Sequence, residues 1–259
     1  MAKKWARFPH PDKSFAYEGA ALKKHWDRLH RGDAEPYPQA EGAQRAWRHY
    51  HAGEFREAVE AGHAAGGAGV NAAIKAQSIY ANYLESAADT GRLALFEEAA
   101  AWADVRRAEA PKDANAHYLY AYALGRYGQG ISVAKALAQG MGGKIKDALT
   151  LALKLGPAHA DAYTAFGAYQ AEVIAKVGAL VAGMTYGAKK ESALEHFQTA
   201  LKLNPDSAIA RIEHANGLIL LFGNARLADA TKLYEQAAAC KPADAMERLD
   251  VELARSELE

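Results

Sequence analysis

Residues 191–210 read ESALEHFQTALKLNPDSAIA, and the spacing of four side chains in that stretch decides the fold. Ala193 is followed by Phe197, Ala200 and Pro205, at steps of four, three and five. Steps of three and four place side chains on one face of a helix. Small residues there let a neighbouring helix approach, the aromatic fills the space beside it, and a proline beyond the end stops the helix. The same ladder returns as Ala230, Tyr234, Ala237 and Pro242. Weaker copies are Leu149, Ala152, Pro157 and Ala99, Ala103, Pro111, the last with Arg106 where an alanine is expected. Ala58 and Ala65 keep the small positions near the start, with Val70 in place of the proline.

A second ladder follows each of three prolines. Six residues on stand His117, Tyr163 and Arg211, then Tyr120-Ala121, Phe166-Gly167 and His214-Ala215. Paired helices of this kind resemble the tetratricopeptide repeat, a helix-turn-helix unit of roughly 34 residues. The resemblance covers most of residues 40–242, about five units, and is clearest from Tyr163 to Pro205. It implies an all-α, right-handed solenoid whose front helices line a concave groove.

Pro111, Pro157, Pro205 and Pro242 lie 46, 48 and 37 residues apart. The excesses over the repeat are about 12, 14 and 3 residues. Each ladder keeps its count from its nearer proline, so the extra residues belong at the corners between paired helices. Shared between two helices they predict central hairpins longer by roughly 10 Å, protruding on one side. Such inserts, with GGKIKDALTLALKLGP, DAYTAFGAY and GAKKESALEHFQTALKLNP, also resemble the regulator of microtubule dynamics family. That resemblance implies a helical repeat domain with a binding role; tubulin binding is not carried over, because the membrane anchor of some family members has no counterpart here.

QGMGGKIKD, residues 139–147, looks at first like a phosphate loop. A Walker loop needs glycine six residues before the Gly-Lys lysine and Ser/Thr after it; Ala138 and Ile145 stand there. The dinucleotide pattern fails at Ile145 as well. The glycines fit a hairpin corner, where positive φ is needed, with Lys144 opening the helix that follows. GQGISVAKALAQGMGG and VGALVAGMTYGA are both apolar and rich in small residues. The expectation is that they pack on each other; the alternative is an exposed tip that meets a partner, lipid or a second copy, with self-association through residues 128–143 and 173–188.

The formal net charge of zero gives no long-range attraction to nucleic acid or an anionic surface. The apolar run Val173–Met184 is too short to span a bilayer, and Lys176 sits inside it, one turn after Glu172. MAKKWARFPHPDK lacks the apolar core of a signal peptide, and a single cysteine, Cys240, forms no internal disulfide. A cytoplasmic protein without a membrane span is expected. No two histidines stand at i,i+3 or i,i+4, so no metal site is expected; His117 and His214 read as core residues, and Cys240 as an inert thiol. No cofactor is required.

By analogy with the repeat family, the groove would present Trp47, Tyr50 and His51, then Ser78 and Asn82, then Tyr118, Tyr122 and Arg126, then Thr164 and Glu172, and finally Ile212 and Asn216. Ser78, Tyr118 and Thr164 stand where a carboxylate clamp would place lysine. An aromatic groove for an apolar or proline-containing peptide fits better, although tyrosines at these positions could equally pack between units. The predicted binding set is Trp47, Tyr50, His51, Asn82, Tyr118, Tyr122, Arg126 and Asn216. The organisation expected is an N-terminal arm and capping helix at 1–38, with Ser14 as N-cap and a Phe15, Leu22, Trp26, Leu29 stripe, a solenoid at 39–242 and a capping helix at 243–259. The function expected is a non-catalytic scaffold binding a protein or peptide; the alternative is an accessory protein of a transport system that encloses a small apolar ligand.

Overall fold

The computed structural model describes residues 5–85 and 89–259. The first four residues of the expected arm, and Ser86 at the end of NAAIKAQSIYANYLES, lie outside the described residues. The described chain is helical, with no strand. Its α-helices are α1 (Ala20–Leu29), α2 (Glu41–Ala52), α3 (Phe55–Ala65), α4 (Gly69–Tyr83), α5 (Asp89–Glu109), α6 (Ala114–Gln129), α7 (Val133–Ala138), α8 (Met141–Leu155), α9 (Ala160–Val177), α10 (Ala179–Val181), α11 (Lys190–Leu203), α12 (Ala208–Phe222), α13 (Leu227–Ala238) and α14 (Ala245–Ser256).

The prolines punctuate as their spacing predicts. α5, α8 and α11 each end just before one, because proline disfavours helical geometry in the residue preceding it. Two residues after each proline stands a side chain that caps the next helix. Asp113 accepts from the Asn115 and Ala116 amides, His159 from Ala162 and Ser207 from Ala210. These bonds satisfy amide donors that the first turn leaves open.

Two compact units make up the chain. The first holds residues 1–29, 35–132 and 243–246. In it α4 packs against α2, α3, α5 and α6, which is why every residue from Asn71 to Ala81 is buried. The close approach of α3 depends on glycine: a Cβ at Gly62 would lie 2.5 Å from the Gly69 carbonyl oxygen.

The second unit holds residues 30–34, 133–242 and 247–259. Here α9 packs against α8, α11 and α12, and α12 against α13. Phe197 of α11 is fully buried. A Cβ at Gly167 of α9 or at Gly217 of α12 would fall 2.8 or 2.6 Å from its ring, and His214 stacks on it at 5.1 Å. The aromatic and small positions of the ladder are therefore one wedge and its slots. Val251 and Ala254 of α14 cover Ala208, Ile212 and Ala237. The boundary at residue 132 falls within the first insert, so the expected third pair is divided: α6 belongs to one unit and α8 to the other.

Three expectations need correction. Ser14 does not cap α1: Asp12 caps a short 3₁₀ turn, Lys13–Phe15, and Gly19 at φ +53° delays α1 to Ala20. Phe15, Leu22, Trp26 and Leu29 are nonetheless buried together with the core. The inserts do not lengthen the central hairpins. α6, α8, α9 and α11 run 16, 15, 18 and 14 residues, close to the 15 of α12. Glycines stop the helices instead: Gly140, Gly178 and Gly187 all adopt positive φ, a region other residues enter at a cost. The inserts fold into α7, α10 and a π-helical turn, Ala182–Tyr186. Nor do they simply bury each other. Gly142 admits the Tyr186 ring, which a Cβ would meet at 2.7 Å, yet Leu137, Leu180 and Met184 remain exposed.

Candidate functional site

The positions expected to line a groove divide into three groups. Trp47, Tyr50 and His51, on α2, are 0–1% exposed and belong to the core of the first unit. Trp47 stacks on His51 at 5.9 Å and meets Trp26 edge-on at 6.0 Å; Tyr50 meets Phe55 at 5.8 Å. His51 Nδ1 donates to the Asp244 carboxylate at 2.7 Å, both side chains being buried. These three residues hold the first pair together, and the structure offers none of their side chains to a ligand. Edge-to-face rings of this kind contribute about 0.5–1.5 kcal/mol each beyond their burial.

The second group is on α6. Tyr118, Tyr122 and Arg126 follow at steps of four along one face. The Tyr118 and Tyr122 rings are 6.1 Å apart, and the Arg126 guanidinium lies 5.4 Å from the Tyr122 ring. Tyr118 is buried, whereas Tyr122 and Arg126 are half-buried. Arg126 also donates to Gln129 Oε1 at 3.1 Å. Asn82 is half-buried on α4, which packs against α6, with Ser78 fully buried one turn earlier. A cation over an aromatic face, open on one side, can take up the apolar and anionic parts of a peptide together. The third group is Asn216 in the second unit, exposed on α12 and accepting from the Tyr234 hydroxyl at 2.5 Å. Burial, more than the repulsion of Glu257 and Glu213, pushes the Tyr234 phenol up to about 12, against the pull of that hydrogen bond. Of the other expected groove positions, Thr164 and Ile212 are buried.

Sequence reasoning missed a partly buried polar network at the start of α4. Asn71 Nδ2 donates to Glu35 at 3.2 Å and to Asp113 Oδ2 at 3.0 Å. Arg106 donates to Asn71 Oδ1 at 3.3 Å and to the same Asp113 oxygen at 3.0 Å. Arg106 is the residue that broke the alanine ladder of α5, so the departure itself was the signal. Lys75 was also missed. It is buried on α4 with its ammonium 5.7 Å from the Tyr50 ring, and its signal was a single lysine in an otherwise uncharged stretch.

His117 is buried, its Nε2 donating to the Pro111 carbonyl at 3.0 Å. Burial, with Arg226 adding to it, holds His214 below the usual histidine value. Cys240 is half-buried, its thiol 3.4 Å from the Gln236 carbonyl. Among the described residues, no three His, Cys, Asp or Glu side chains are grouped so as to hold a metal ion. No described helix is long and apolar enough to cross a membrane.

Packed helix pairs, punctuated by prolines and carrying a partly open aromatic–cation face, define an all-helical, repeat-like protein. The family model described as regulator of microtubule dynamics protein 1-3 matches residues 66–255, and the chain belongs to that family. No curated protein matches the chain. The match takes in α4 to nearly the end of α14 and leaves α1 to α3 outside.

Proposed function

We propose that the helix pairs are tetratricopeptide-like units of a right-handed solenoid, and that the protein is a non-catalytic, cytoplasmic scaffold for a protein or peptide. The observation that carries this reading is the Tyr118–Tyr122–Arg126 face of α6, where the core uses Tyr118 and leaves Tyr122 and Arg126 half-open. Asn82 on the adjoining α4 supplies an amide able to bond a peptide backbone in either direction. Trp47, Tyr50 and His51 are buried in the core of the first unit and are not part of the contact. Asn216 belongs to a separate surface on the second unit.

The family description names microtubule dynamics, which makes polymerised tubulin the first defined partner to assay by co-sedimentation. For a partner of any identity, a photo-crosslinking residue in place of Tyr122 is the direct test. The expected outcome is a reproducible crosslinked protein whose yield falls at least about tenfold when Arg126→Ala is added, the scale of a well-placed interface residue. A Tyr122 position that crosslinks nothing, or that is indifferent to Arg126→Ala in a folded protein, removes the site. A small apolar molecule retained in native mass spectra would replace the scaffold reading with that of a ligand carrier.

A further inference from the structure

The segment before the first helical turn is not a loose leader. Residues 5–9, WARFP, have no regular secondary structure and lie on the first unit by two aromatic anchors three residues apart. Trp5 stacks on Tyr80 of α4 with ring centres 3.9 Å apart and planes 28° apart. Phe8 stands edge-on to Phe55 of α3 at 6.4 Å. Between the anchors, the Ala6 amide donates to the Tyr80 hydroxyl at 3.0 Å. Gly53, at the corner between α2 and α3, makes room for Phe8: a Cβ there would fall 2.6 Å from the Phe8 ring. Trp5 and Phe8 are half-buried, while Ala6, Arg7 and Pro9 face solvent.

This arrangement has the elements of peptide recognition. Two rings of the first unit receive aromatic side chains, one hydroxyl accepts from a main-chain amide, and the intervening side chains face solvent. None of the contacts depends on the segment being joined to this chain. Tyr80 and Phe55 are only 2–3% exposed with the arm in place; without it their rings would form an open apolar patch, which proteins normally cover. Apart from Tyr80, the arm and its seat also lie outside the 66–255 family match. The seat is separate from the α6 face, so the two readings stand or fall independently.

We propose that the Gly53–Phe55–Tyr80 surface is a second peptide-binding site, specific for an extended segment with two aromatic residues three apart followed by proline, and that residues 5–9 occupy it as a built-in competitor. An intramolecular occupant holds the site at a high effective concentration, so a partner segment gains access only by displacing the arm. The probe is a fluorescein-labelled peptide WARFPHPDK added to the full-length protein. Its affinity should rise at least about tenfold in the Trp5→Ala/Phe8→Ala chain, where the internal competitor is disabled. Adding Tyr80→Phe to that chain should reduce the gain, because the hydroxyl that accepts from the Ala6 amide is lost while the ring that Trp5 stacks on is kept. No detectable binding to a folded Trp5→Ala/Phe8→Ala chain overturns the proposal, as does equal binding of a peptide with both aromatics replaced by alanine. Dimerisation of that variant without peptide binding assigns the surface to a second copy and also overturns it. Should the double variant fail to fold, the unmodified protein still decides the matter. Excess peptide should then accelerate hydrogen exchange at residues 5–9, and unchanged protection makes the arm a fixed brace.

Discussion

At the scale of single residues, Phe197 and its neighbours show how a spacing becomes a contact. The alanine–aromatic–alanine ladder specifies where Phe197 must point, and Gly167 and Gly217 are the places that receive it. His214 completes the pocket, stacked at 14° to the Phe197 plane, and burial holds it below the ordinary histidine value of 6.5. The sign of the consequence follows. Between pH 6.5 and the lower folded value, the unfolded chain binds a proton that the folded chain refuses. Stability is therefore complete above 6.5 and falls as the pH drops through that window. His63 is shifted in the same direction, by burial first and with Glu98 opposing. His214→Phe keeps an aromatic ring against Phe197 and removes one of these protons. The urea midpoint of the wild-type chain should fall between about pH 7.5 and pH 5.5, and that of His214→Phe should fall less. An identical pH dependence in the two proteins would show that His214 is not the titrating group.

At the scale of elements, the helix order was legible because each signal is local. A proline, a small-residue ladder and the spacing between them all lie within a few turns, and they located the helices on either side of Pro111, Pro157 and Pro205, although α6 and α8, expected as the third pair, fall in different units. The fate of the inserts was not legible. Counting residues gives a surplus but not the backbone conformation of its glycines, and Gly140, Gly178 and Gly187 turned the surplus into short separate helices. The face proposed for binding was only partly legible for a related reason. Helical spacing put Tyr118, Tyr122 and Arg126 on one side, but whether α2's aromatics faced solvent depended on partners far along the chain. The three helix caps make a comparison between local and long-range roles. Ser207 uses its hydroxyl for the Ala210 amide. Asp113 caps α6 with Oδ1 and accepts from Asn71 and Arg106 with Oδ2. Ser207→Ala should cost about 1 kcal/mol, the usual value of a cap. Asp113→Ala should cost about 2–4 kcal/mol, because it also strands the charged and amide donors of the network. Equal losses in denaturant titrations would show that the network contributes nothing beyond the cap.

At the scale of the whole molecule, the two compact units are not cut from two continuous halves of the sequence. Residues 30–34 belong to the second unit, where the Asp161 amide at the start of α9 donates to the Gly32 carbonyl at 2.9 Å. Residues 243–246 belong to the first, where the Tyr17 hydroxyl donates to the Ala243 carbonyl at 2.6 Å and Asp244 holds His51. Nothing local announces either exchange: the partners are 193 residues apart in the case of His51 and Asp244. Asp244 stands two residues after Pro242, the position that caps a helix after the three earlier prolines, so the sequence gives it a local reason to exist and hides the distant one. The distant role predicts where damage from Asp244→Ala should appear. Loss of a buried carboxylate partner leaves a buried imidazole donor unsatisfied, a cost of about 1–3 kcal/mol. The loss belongs to α2, far away in sequence. Hydrogen exchange should therefore accelerate in α2 and around Tyr17, while the cluster of Ala208, Ile212 and Val251 keeps its protection. If protection fell instead only in α14, beside the mutation, Asp244 would be a helix cap and the first unit would not depend on the far end of the chain.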